Sequence, residues 1–156
     1  MYTLAIIDMQ DEFLSTLNET DNVINNCRSQ INKAIEDEAH ILFVEYEGYD
    51  TTTKELVDIV ESNKYLDVTH ITKWDDNGAE EILAAIRLHL LPQQTIKFCG
   101  INTDCCVYST VKGFLQAMKE ANVEVITDAC DSAHNHKRGI DYLKSLTAEH
   151  PNLKIV

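Results

Sequence analysis

Two hydrophobic periods alternate along this chain. Short runs rich in β-branched residues, apolar at consecutive positions, occur at 3–7, 40–45, 68–72, 95–99, 123–127 and 153–156. Their length and continuity suit strands covered on both faces, as in a parallel sheet. Between them the period changes to that of a helix. Val23, Ile24, Cys27, Ile31, Ala34 and Ile35 form one apolar stripe, with Thr20 or Asp21 as the capping candidate. Ile82, Leu83, Ile86 and Leu90 form a second, ahead of Pro92; Val107, Val111, Phe114, Leu115 and Met118 form a third; Ile140, Leu143 and Leu146 form a fourth. A further short helix is predicted within 52–62.

Repeated strand–helix alternation predicts an α/β fold with a mainly parallel sheet of six strands, joined by right-handed crossovers and covered by helices on both faces. With 156 residues and no repeat, low-complexity tract or Pro/Gly-rich linker, the chain reads as one domain over 1–156. In such sheets functional groups gather beyond the carboxyl ends of the strands, near the point where strand order reverses.

Composition narrows the partners. Thirteen Lys and Arg against 26 Asp and Glu give a net charge of -13, which argues against nucleic acid as a partner. No apolar run approaches a membrane span. The first residues, Met1-Tyr2-Thr3-Leu4, carry no basic region or small-residue cleavage site, so a signal peptide is not expected. The five cysteines are an odd number, scattered through predicted core elements without a CxxC pair. That suits reduced thiols and a cytoplasmic location better than a disulfide framework or a zinc ribbon.

Three strand ends carry reactive groups: Asp8 after the first strand, Lys73 after the third, and the segment Gly100-Ile101-Asn102-Thr103-Asp104-Cys105-Cys106 after the fourth. A thiol at the start of a helix is favoured as thiolate by unpaired N–H groups, and a nearby ammonium acts the same way. A carboxylate can take the thiol proton and return it to a leaving amine, while loop amides hold the oxyanion. Helical geometry separates the two cysteines. Cys105 shares a flank with Ser109, Lys112, Gln116 and Lys119, which reads as solvent-facing. Cys106 shares one with Thr110, Gly113 and Ala117, small residues suited to close packing, and is the expected nucleophile. Tyr46, Tyr49 and Trp74 follow strand ends and are candidate substrate contacts; core packing or a subunit contact would explain them equally well. Asp128, Asp131, His134 and His136 cluster in sequence and could hold a metal or relay protons, but loop residues near a helix start account for them more simply.

The blocks Ile6-Ile7-Asp8-Met9-Gln10-Asp11-Glu12-Phe13, Thr72-Lys73 and Gly100-Ile101-Asn102-Thr103-Asp104-Cys105-Cys106-Val107 resemble those of the isochorismatase-like cysteine hydrolases, a family that includes nicotinamidases and carbamoylsarcosine-type amidohydrolases. The last block is similar to the family pattern Gly-x-x-Thr-Asp-x-Cys-Val. The resemblance covers nearly the whole chain. It implies a three-layer α/β/α fold with strand order 3-2-1-4-5-6 and an Asp-Lys-Cys triad at Asp8, Lys73 and Cys106. It further implies a cis peptide at Ile101-Asn102 and an oxyanion loop of Ile101, Asn102 and Cys106. Gln10 and Phe13 join the aromatic trio as candidate substrate contacts. In that strand order Asp8 and Cys106 leave neighbouring strands, roughly 5 Å apart, whereas Lys73 starts about 10 Å along the sheet and needs its long side chain to reach.

The resemblance implies hydrolysis of a C–N bond in a small amide or carbamoyl substrate through a thioester, and a habit of homo-oligomerising. It departs from nicotinamidases at the metal. Those enzymes use an Asp-x-His pair and a further His, where this chain has Glu45-Tyr46-Glu47-Gly48-Tyr49-Asp50. No metal or other cofactor is therefore expected, nor nicotinamidase activity. The 47–67 segment is short for the family and leaves little material for a lid, which motivates the alternative of a non-catalytic small-molecule-binding protein on the same fold. A flavodoxin-like phosphate binder fits poorly, since Asp8-Met9-Gln10-Asp11-Glu12 is acidic and glycine-free.

Overall fold

A computed structural model describes residues 1–92 and 94–156. The elements run β1 (Thr3–Ile7), α1 (Asp11–Leu14), α2 (Asp21–Glu36), β2 (His40–Tyr46), α3 (Lys54–Ser62), β3 (Val68–Lys73), α4 (Ala79–His89) and β4 (Thr95–Ile101). A wide π-helical turn over Thr103–Val107 then leads into α5 (Tyr108–Ala117), followed by β5 (Asn122–Asp131), α6 (His136–Leu146) and β6 (Leu153–Ile155). The six strands form one sheet in the order 3-2-1-4-5-6, and every pairing is parallel. Order and layering agree with the expectation from the sequence.

The continuous apolar runs explain why β1 sits at the centre. Every one of its residues is buried, as are the first six of β2. The stripes on α2, α4 and α5 close the two faces, with Cys27, Ile31, Ile82, Val111 and Phe114 among the fully buried side chains. Near 25 cal/mol per Å² of apolar surface removed from water, this is the dominant stabilising contribution. The predicted boundaries shift where tertiary contacts add to the local pattern. The stripe read as one helix from Val107 begins earlier, as the π-turn, and β5 runs to Asp131 instead of 127. Thr20 precedes α2 without a side-chain capping bond.

Two irregularities set up the strand ends. Between Phe98 and Gly100 on β4 the register to β5 slips: Phe98 pairs with Val125, but Gly100 pairs with Cys130 and Ile101 with Asp131. Gly100 has φ +116°, and a Cβ there would lie 2.1 Å from the carbonyl oxygen of Ile7 on the neighbouring strand. Only glycine allows β4 to press this closely on β1. No helix among the described residues is long and apolar enough to cross a membrane.

Gly100→Ala therefore forces β1 and β4 apart below the first reactive group. Its expected loss of folding stability is about 3 kcal/mol or more, read as a fall in the urea midpoint at unchanged slope; a wild-type midpoint would contradict the close approach.

Candidate active site

Asp8 leaves the end of β1 in the left-handed region, φ 52°. For a residue other than glycine this is an uncommon conformation, which Asp tolerates better than most. It is held by the Asp8 N–H donating to Val44 O on β2 at 2.9 Å. Lys73 ends β3, opposite Tyr46 in the register. Its side chain crosses the end of β2 with the ammonium 4.0 Å from the centre of the Tyr46 ring and stops 3.0 Å from Asp8 Oδ2. The long reach anticipated from strand order is thus present. The ammonium also donates to Asp75 O at 2.9 Å. Room for the lysine stem comes from Gly78, where a Cβ would stand 2.8 Å from Lys73 Cδ.

Cys106 occupies the third turn-forming segment. The Ile101-Asn102 peptide is cis, and Asn102 O accepts the N–H groups of both Cys105 and Val107 at 3.1 and 3.0 Å. Several contacts fix this turn from the side. Thr103 donates its hydroxyl hydrogen to Asp131 O at 2.9 Å, so His136 Nδ1, 2.8 Å away, must be the donor in its own contact with Thr103. Asp104 accepts from Ser132 at 2.5 Å and from Arg138 at 2.8 Å. Asn102 Oδ1 accepts the Ala133 N–H at 2.9 Å. Gly139 of α6 lies directly on the turn, where a Cβ would come within 2.6 Å of Asp104 N.

The three side chains are brought together in nearly complete burial: Lys73 is 0% exposed, Asp8 1% and Cys106 6%. Burial pushes Asp8 from 3.8 to about 6, against the lowering influence of Lys73 and of the neighbouring Cys106 thiol. None of these neighbours meets Asp8 with full hydrogen-bond alignment, so both of its oxygens are buried without a well-placed donor. Raising a carboxyl from 3.8 to about 6 disfavours its ionised form by about 3 kcal/mol. Burial, and next the Asp8 carboxylate, push the Cys106 thiol up, with Lys73 pulling the other way. This corrects the expectation of a thiolate favoured by a helix start. The turn is π-helical and the sulfur is desolvated beside an anion, so the resting side chain is the thiol.

The other candidate contacts separate. Phe13, Tyr46 and Tyr49 form one aromatic wall, with Phe13 and Tyr49 centroids 4.5 Å apart and Phe13 and Tyr46 centroids 6.0 Å apart. Trp74 is 70% exposed and stands outside that wall. Gln10 is fully buried, and its amide is committed to backbone: it donates to Tyr46 O at 3.1 Å and Asp50 O at 2.5 Å and accepts from Tyr46 N at 2.7 Å. It shapes the wall and has no free donor for a substrate. His134 is exposed, and His136 is engaged with Thr103.

Sequence reasoning missed Asp76. Its Oδ1 lies 3.6 Å from Cys106 Sγ and its Oδ2 3.2 Å from Cys105 Sγ. Nothing in the sequence separates it from Asp75 beside it. The Glu45 side chain, near the end of β2, is engaged within the protein. Glu45 Oε1 accepts from Thr52 N at 2.8 Å and Thr52 Oγ1 at 2.9 Å, and meets His70 Nδ1 at 2.9 Å. The carboxylate is spent on protein groups, and no second histidine joins it among the described residues.

A profile of the isochorismatase domain matches residues 2–150, and the chain belongs to that family. The solved structures it resembles include a nicotinamidase from Staphylococcus aureus, with a TM-score of 0.83, 16% identity, and 99% of this chain and 97% of that one covered. A pyrazinamidase/nicotinamidase from Streptococcus mutans gives 0.81 at 16% identity over the whole of both chains. An N-carbamoylsarcosine amidase from Thermoplasma acidophilum gives 0.73 at 15% identity, covering 99% and 94%. At these identities the likeness is one of fold. No curated protein sequence matches the chain.

Because the thiol is raised, alkylation of Cys106 is expected to be slow at pH 7 and to accelerate towards alkaline pH. Asp8→Asn removes the nearby anion and should speed alkylation at pH 7. Peptide-level mass spectrometry of iodoacetamide adducts, in a Cys105→Ser background, reads both rates; a slower Asp8→Asn variant would contradict the assigned electrostatics.

Proposed function

We propose that this protein is a cysteine amidohydrolase acting on a small amide or carbamoyl compound, with Cys106 as nucleophile, Asp8 as proton carrier and Lys73 as the charge that keeps Asp8 usable. The observation that supports it above all is the ion pair of Asp8 and Lys73 at 3.0 Å, buried beside the Cys106 thiol where a carboxylate would otherwise be costly. Amidase names among the fold neighbours point the same way.

In this reading the thiol proton passes to Asp8 as Sγ attacks the carbonyl carbon. The oxyanion forms against loop amides between Asn102 and Cys106. Asp8 then returns the proton to the departing nitrogen, leaving a thioester. Water, deprotonated by Asp8, attacks that thioester and frees the acid and the thiol. Phe13, Tyr46 and Tyr49 offer a flat apolar wall for the remainder of the substrate. All five cysteines are free, which suits a reducing cytoplasm.

A second reading, a binding protein without turnover, draws on one observation: Cys106 is only 6% exposed and its thiol is raised. Incubation with a panel of small amides and ureido compounds, with mass spectrometry of the Cys106 peptide, separates the two. Turnover with an acyl adduct on Cys106 supports the hydrolase; tight binding with no adduct and no product across the panel supports the binder.

If hydrolysis is found, Asp8→Asn and Lys73→Ala should lower kcat by about 10²–10⁴ and Cys106→Ala should abolish it. Since Asp8 must be ionised to accept the proton, kcat/KM should rise with pH through about 6. Removing Lys73, which lowers Asp8, should move that limb to higher pH. An unmoved limb would dissociate Asp8 from the pH dependence.

A further inference from the structure

The catalytic reading uses one of two adjacent thiols and leaves Asp76 without a task. Asp76 has no Lys, Arg or His in ion-pair range among the described residues, and the residue is half-buried. Its loop is tied down: Thr110 Oγ1 donates to Asp76 O at 3.2 Å and accepts the Gly78 N–H at 3.0 Å. The carboxylate is thereby held across the two sulfurs, 3.2 Å from Cys105 Sγ and 3.6 Å from Cys106 Sγ. One ligand atom from each of the three residues lies within 4.8 Å of the others.

Those spacings are those of a metal's donor set. A tetrahedral zinc ion has Zn–S near 2.3 Å and Zn–O near 2.0 Å, so adjacent sulfur and oxygen ligands stand about 3.5 Å apart and two sulfurs somewhat further. Asp76 approaches the two sulfurs through different oxygens, Oδ2 at 3.2 Å from Cys105 and Oδ1 at 3.6 Å from Cys106, each close to that edge. One donor atom from each residue lies within 4.8 Å of the other two, so a turn of the carboxylate brings a single oxygen to both sulfurs. Two thiolates and one carboxylate form a soft, anionic set, which selects zinc or cobalt over magnesium and calcium.

We propose that Asp76, Cys105 and Cys106 form a binding site for a thiophilic divalent cation, zinc being the probe of choice, and that its occupation switches the enzyme off by tying up the nucleophile. On binding, each thiol releases one proton to solvent and each sulfur forms one bond to the metal. Asp76 supplies the third ligand and water the fourth. No electron is transferred, and a chelator reverses the state. The inhibitory consequence rests on the hydrolase reading; the binding site itself does not.

The test is direct titration of the whole protein under reducing, chelator-free conditions. Cobalt(II) should bind at one equivalent, with a thiolate-to-cobalt charge-transfer band in the near ultraviolet that zinc abolishes and magnesium leaves intact. Cys105→Ser and Asp76→Asn should weaken zinc binding by more than the roughly 10–100-fold that even an outer-shell partner is worth. Cys105→Ser should keep its turnover and lose its sensitivity to zinc. The absence of a charge-transfer band in the wild-type protein overturns the site, a result that needs no variant to fold. Equal zinc affinity of wild type and a folded Cys105→Ser overturns it as well. A protein that binds zinc in this way but hydrolyses nothing upholds the site and removes the hydrolase reading.

Discussion

The architecture of the strand ends depends on two opposite charges being buried against each other. An isolated carboxylate or ammonium at the depth of Asp8 or Lys73 would lose most of its hydration, at several kcal/mol per ion even after relaxation. Their 3.0 Å separation makes that depth tolerable, and it obliges several other features. Asp8 must turn out of β1 in a left-handed conformation. The chain must have no side chain at Gly78, where the lysine stem passes. The ring of Tyr46 must lie beneath the ammonium at 4.0 Å. A surface pair would demand none of this and would contribute little.

Cys106 is held by a different kind of constraint, made mainly of hydrogen bonds to one turn. Thr103, Asp104 and Asn102 each bond to the segment between β5 and α6 or to the start of α6 itself. Ion pair and turn meet at the Asp8–Cys106 contact, where burial works on both partners at once. It raises the carboxyl and raises the thiol, which favours the proton on sulfur.

Strand positions, parallel pairing and the gathering of Asp8, Lys73 and Cys106 were legible because each rests on patterns a sequence displays: apolar runs, helical stripes and short blocks at their ends. The preference for Cys106 over Cys105 followed from helical spacing alone, and the structure places Cys106 as the more buried thiol. Other features depended on contacts between segments far apart in the chain. Gln10 reads as a polar group available to a substrate until its amide is seen bonded to Tyr46 and Asp50. Asp76 becomes distinct from Asp75 only when α5 is packed beneath its loop. The sign of the thiol shift was misjudged for the same reason: local position suggested a favoured thiolate, and burial reversed it.

The slipped register between β4 and β5 has a bearing on which residues brace the turn that carries Cys106. While β4 advances from Phe98 to Gly100, β5 advances from Val125 to Cys130. Three surplus residues are taken up there, and at roughly 3.3 Å per residue they would otherwise carry the strand about 10 Å further. With a regular ladder, Asp128 would stand beside Ile101 in place of Asp131. The bulge therefore acts as a spacer whose length selects the amino acids beneath the Thr103 turn. Loss of a single residue from it would exchange the whole set of braces at once, so this stretch of β5 should tolerate substitution far better than a change in length.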